Sequence, residues 1–85
     1  MYTFLKLDTR SGQIWQVQYS INGDEFETAL SEAVLSLNQT PGKFALYPTT
    51  NNWTFIMLDT VDGTTYHVQW SQDSSNRGLR RIPQY

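Results

Sequence analysis

The 85-residue chain contains no cysteine and a single histidine, His67. Without cysteine there is no disulfide and no thiolate metal ligand, so stability has to come from packing or from self-association. A Cys/His nucleophile pair is excluded, and a Ser-His-Asp arrangement would have to assemble around His67 alone. Glycine is also sparse. Its five copies are scattered among turns, and none builds a loop that cradles phosphate. Basic residues number six against eight acidic ones, and the formal charge of -2 argues against nucleic acid, whose phosphates select a basic surface. No apolar run approaches the roughly 20 residues of a membrane helix. The opening residues MYTFLKLDTR have neither the basic start nor the apolar stretch of a secretory signal. The expectation is one soluble domain over residues 1–85, cytoplasmic by default. A chain of this length buries only about 60 to 70% of its unfolded surface, so its core is thin.

What is present in excess is repetition. Residues 3–20, TFLKLDTRSGQIWQVQYS, and 54–71, TFIMLDTVDGTTYHVQWS, align without a gap, and nine of the eighteen positions are identical. Such self-similarity indicates one supersecondary unit used twice. Each copy reads as a β-hairpin: aromatic, branched and Thr-rich runs flank the polar turns Thr9-Arg10-Ser11-Gly12 and Thr60-Val61-Asp62-Gly63. Gly12 and Gly63 fall where a turn ends in a left-handed residue. Asp8 and Asp59, just before the turns, can fold their carboxylates back onto the turn amides. Two registers compete, with Gln13 opposite either Asp8 or Thr9. In both, Trp15, Val17, Tyr19 and their counterparts Tyr66, Val68, Trp70 form the more apolar face. Gln16, Gln18, His67 and Gln69 form the more polar one.

Between the repeats the period changes. Phe26, Ala29, Leu30, Ala33, Val34 and Leu37 recur at helical spacing, and Asp24 followed by Glu27 resembles a capping box, which predicts an amphipathic helix over 24–37. Lys43 to Tyr47 reads as a further strand. Leu79 to Ile82 reads as its counterpart after the second repeat. The expected fold class is therefore α+β: duplicated hairpins in one twisted antiparallel sheet of about five or six strands, with the helix inserted between them. Six strands at about 4.8 Å spacing make a sheet nearly 30 Å wide, whereas one helix is only about 10 to 12 Å across. The aromatic excess (three Trp, five Tyr, four Phe) must then be closed off by curling towards a barrel, by a second copy, or by a ligand.

Chemistry-bearing groups are few. His67 with Asp8 or Asp59 is the one hydrolase arrangement the composition allows. The turns DTRSG and DTVDG offer at most two carboxylates, short of a calcium loop, so neither a metal site nor a cofactor is expected. Arg77, Arg80 and Arg81 cluster near the end as anion or partner contacts, and Trp15, Tyr19, Tyr66 and Trp70 stand as a candidate binding face.

The segment LDTRSGQIW resembles the D-x-x-T-G-x-x-x-W hairpins of quinoprotein-type β-propeller blades, in which Asp and Gly shape the turn and Trp docks between blades. The match covers under a dozen residues in each half. The Gly12 to Trp15 spacing is one shorter, and Tyr66 replaces the Trp in the second copy. Two hairpins are far fewer than a propeller's blades, so the resemblance implies shared turn mechanics and no particular activity.

The functional expectation is a non-enzymatic interaction domain acting through protein contacts, first with its own copy as a homodimer, or with another protein. The alternative is a small-ligand module with an aromatic pocket for a sugar, nucleotide or other anion.

Overall fold

The computed structural model describes residues 2–20, 23, 25–38 and 40–83, with Tyr2 by its backbone alone. It contains seven strands: β1 (Tyr2–Leu7), β2 (Ile14–Tyr19), β3 (Phe26–Ser31), β4 (Phe44–Pro48), β5 (Thr54–Asp59), β6 (Thr65–Gln69) and β7 (Gly78–Arg81). One 3-10 turn, Ser74–Asn76, precedes β7.

Both hairpins close by the same local chemistry. The Asp8 amide donates to the Gln13 carbonyl at 2.9 Å and the Gly12 amide to the Asp8 carbonyl at 2.9 Å; the equivalent bonds at Asp59 are 2.8 and 2.9 Å. Each aspartate Oδ1 accepts the next turn amides, from Arg10 and Ser11 in one copy and from Val61 and Asp62 in the other. These are the Asx turns anticipated from the D-T-x-x-G pattern. Gly12 and Gly63 take φ values of 85° and 81°, where an L side chain is strained. Of the two competing registers, the one with Asp8 opposite Gln13 is formed, which sets Leu7 against Ile14 and Leu58 against Thr65.

The expected helix over 24–37 is absent, and with it the α+β class. Residues 26–31 form β3, which pairs antiparallel with β2, and 32–38 continue as irregular chain. Asp24, read as the cap, lies outside the described residues. The physical contest is clear in retrospect. A lone helix of fourteen residues is marginal in water, Thr28, Ser31 and Ser36 are indifferent helix formers, and β2 would otherwise present an unpaired edge. The supposed apolar stripe is dispersed accordingly: Leu30 is buried, but Phe26, Val34 and Leu37 are exposed. Leu30 is the extra residue of a bulge where β3 pairs with Ile14 and Trp15.

The single sheet is also replaced, by two: β1-β2-β3 and the meander β4-β5-β6-β7. They meet face to face, with β1 nearest β4 and β3 nearest β7. The strand at 44–48 is not the counterpart of the one at 78–81. Rather, β7 flanks the second hairpin as β3 flanks the first, and β4 pairs on the other edge, with β5. Between the layers lie Ile14, Leu30, Phe44, Met57 and Val68, with Leu5, Leu7, Leu35, Leu46, Phe55, Tyr66, Trp70 and Leu79 packed around them. A second sheet thus does the covering that one helix could not.

The face assignment holds for one hairpin only. In the second, Val68 is buried and Tyr66 and Trp70 pack inward as expected. In the first the faces are reversed: Gln16 and Gln18 are 0% and 2% exposed, whereas Trp15 and Val17 lie on the outer side and Tyr19 is 40% exposed. Burying two glutamines is tolerable only because their amides are satisfied. Gln16 Nε2 donates to the Ser71 carbonyl at 2.9 Å and Gln16 Oε1 accepts the Ser71 amide at 3.4 Å. Gln18 Nε2 reaches the Thr3 hydroxyl. Every buried side-chain nitrogen and oxygen among the described residues has a partner.

Candidate functional site

The outer face of the three-stranded sheet is the most distinctive surface. Alternation along β1 and β2 sends Thr3, Leu5, Leu7, Ile14, Gln16 and Gln18 to the interior, which leaves Phe4, Lys6, Trp15, Val17 and Tyr19 on the other side. Phe4 is 52% exposed and meets Tyr19 edge to face, with ring centroids 6.1 Å apart at 61°. Lys6 Nζ stands 5.2 Å from the Trp15 ring centroid and 2.6 Å from Glu27 Oε1 on β3. The lysine's position over the indole and its carboxylate partner border the aromatic patch with charge.

The four aromatics singled out from the sequence therefore do not form one surface. Trp15 and Tyr19 belong to this outer face. Tyr66 and Trp70 belong to the core layer, where Trp70 stacks on Trp53 at 4.5 Å and donates its indole N–H to the Asn52 carbonyl. Phe4 and Lys6 complete the outer patch and were missed. The legible signal was the repeat itself: Lys6 aligns with Met57 and Ile14 with Thr65, so the two copies differ in which face can be buried.

The arginines separate as well. Arg77 is a strut: its guanidinium donates to the carbonyls of Ser71 and Gln72 and to the Thr28 hydroxyl. The Ser71 carbonyl thus receives both Gln16 and Arg77, joining the two sheets at one point. Arg80 is exposed on the outer side of β7, opposite His67 on β6, and Arg81 is exposed opposite Tyr66. A shallow, open depression of about 260 Å³ runs beside Arg80, His67, Asn76 and Arg77. With Arg77 already engaged, it presents the Arg80 guanidinium beside the His67 ring, and no Phe, Tyr or Trp lines it.

Neither acid pairs with His67. Asp59 is 4% exposed and points to the inner side, where Oδ2 meets Lys43 Nζ at 2.9 Å; His67 alternates with buried Val68 and points out. The Lys43 ammonium is held above its ordinary pKa of 10.5, chiefly by its hydrogen bond to Asp59. The Asp8 carboxyl is held below its ordinary 3.8, chiefly by the Arg10 amide. Both carboxylates are thus occupied by the turns they close. No group of three or more His, Asp and Glu positioned to hold a metal occurs among the described residues, and no helix there is long and apolar enough to cross a membrane. No family model, curated protein or solved structure matches the chain.

Proposed function

We propose that the protein is a small non-catalytic interaction domain that associates with its own copy through the outer face of the three-stranded sheet. The supporting observation is the outer patch on the β scaffold in which Phe4 and Tyr19 are exposed and Trp15 and Val17 half-buried, bordered by the Lys6–Glu27 pair. Aromatics framed by charge suit reversible protein contact. A face three strands wide and six residues long measures about 15 by 20 Å. That is small beside the roughly 800 Å² per partner of a standard interface, so the association is weak and concentration-dependent.

Sedimentation across the micromolar to millimolar range tests this. The average mass should climb with concentration, and Phe4→Glu should suppress the climb while the thermal midpoint stays within about 3 °C. A constant monomer mass for the parent chain would overturn the proposal.

A further inference from the structure

We infer that copies of the chain join head to tail, the outer face of the second hairpin in one copy seating on the outer face of the first hairpin in the next. This deepens the proposed self-association and rests on it. The inference comes from the way the two hairpins meet inside one molecule. Related segments joined about a twofold axis would present equivalent faces to each other; here they present opposite ones. The first hairpin contributes the side carrying Leu5, Leu7 and Gln16, and the second contributes the side carrying Phe55, Met57, Tyr66 and Val68. One side of the unit therefore packs on the other side of its sister, a heterologous contact that leaves one copy of each side unused.

The two unused sides nearly duplicate the two that are buried together. Outside the second hairpin stand Thr54, Ile56, Leu58 and Gln69, aligned with the buried-side Thr3, Leu5, Leu7 and Gln18. Outside the first stand Phe4, Trp15, Val17 and Tyr19, aligned with the inward Phe55, Tyr66, Val68 and Trp70. What covers such a surface is thus already visible within the molecule. The outer side of β4 extends the seat with Ala45 and Tyr47, which pair with Leu58 and Ile56. Charge does not oppose the contact: Arg80 borders one face, and the Lys6–Glu27 ion pair, neutral as a pair, borders the other. Lys6 for Met57, His67 for Gln16 and Thr65 for Ile14 make the intermolecular version more polar. It is accordingly looser than the internal one.

Complementation distinguishes this arrangement from every symmetric one. Val17→Arg blocks the first face and Ile56→Arg the second; both side chains lie outside the core, and near-ultraviolet circular dichroism verifies that each variant is folded. Tyr19→Lys and Leu58→Lys serve as a second pair at the same faces. Expected are a parent chain whose mass grows beyond a dimer, two variants that are each monomeric alone, and an equimolar mixture that yields a one-to-one dimer and nothing larger. Should the Ile56→Arg chain dimerise by itself, the contact is symmetric through the first face; the head-to-tail inference then falls while self-association stands. Dimerisation of Val17→Arg by itself overturns both, as does a parent chain that stays monomeric.

Discussion

The hairpins at 3–20 and 54–71 share half their residues, their turn chemistry and their register, yet bury opposite sides. The difference separates two levels of specification. Turn and register are local: Asp at the start and Gly at the left-handed position fix them wherever they recur. Which side turns inward is decided by the summed burial of each face, and two aligned columns tip it. At the first, Lys6 keeps its ammonium at the surface while Met57 is completely buried; at the second, Ile14 is completely buried while Thr65 lies outside. An unpaired ammonium cannot occupy the position of Met57.

Exchanging residues across that first column produces the largest effect. Met57→Lys places a charge where exposure is 0% and is expected to cost at least about 4 kcal/mol, enough to unfold a domain of this size. Lys6→Met loses only an exposed ion pair and the ammonium's surface contact with the Trp15 ring, and is expected to stay within about 1 kcal/mol of the parent. Urea unfolding of the two variants measures the asymmetry. Comparable losses at both sites would mean that the two hairpins do not bury opposite sides.

The glycines give the next contrast. Gly12 and Gly63 share a positive φ, but a Cβ on Gly12 would come within 2.9 Å of Leu35 Cδ1, whereas nothing lies within 4 Å of one on Gly63. The segment 32–38 crosses the first turn, with the Leu35 amide donating to the Ser11 carbonyl at 2.7 Å. Gly63→Ala is therefore expected to cost about 1 kcal/mol for the strained backbone alone, and Gly12→Ala about 2 to 4 kcal/mol with the overpacking added. Equal midpoint shifts in thermal melts would show that residues 32–38 do not pack there.

That crossing segment marks where the sequence stops being legible. Nine short-range features were readable: both Asx turns, both left-handed glycines, and strands at 2–8, 14–20, 43–47, 53–59 and 65–71, because each depends on neighbours within a few residues. Phe26 to Leu37 satisfied the helical period, and Phe26, Thr28 and Leu30 equally satisfied alternation; the choice was made by the open edge of β2, a tertiary fact. The same holds for Gln16. An amide on a strand looks solvated until the Ser71 backbone, 55 residues away, is brought against it. The candidate surface was half visible, in Trp15 and Tyr19. Separating them from Tyr66 and Trp70 required weighing Lys6 against Met57 in the aligned copies.

The smallest expected effect lies at the third turn position, where the copies use different groups for one bond. Ser11 Oγ accepts the Gln13 amide at 3.2 Å, and Asp62 Oδ1 accepts the Thr64 amide at 2.8 Å. The Asp62 carboxyl is held below its ordinary 3.8, chiefly by that amide, so its folded-state pKa is depressed relative to the unfolded chain. A depressed carboxylate contributes stability that is complete above the unfolded pKa and disappears as pH falls through the folded one. Asp62→Ser copies the first hairpin, keeps the acceptor and removes the titration. Near neutral pH its stability should differ little from the parent. Below about pH 4 its urea midpoint should decline less steeply, leaving the residual slope to Asp8 and Asp73, which are held low in the same way by the amides of Arg10 and Ser75. An acid limb identical to the parent's would show that the ionised carboxylate adds nothing to what a serine hydroxyl already supplies at that turn.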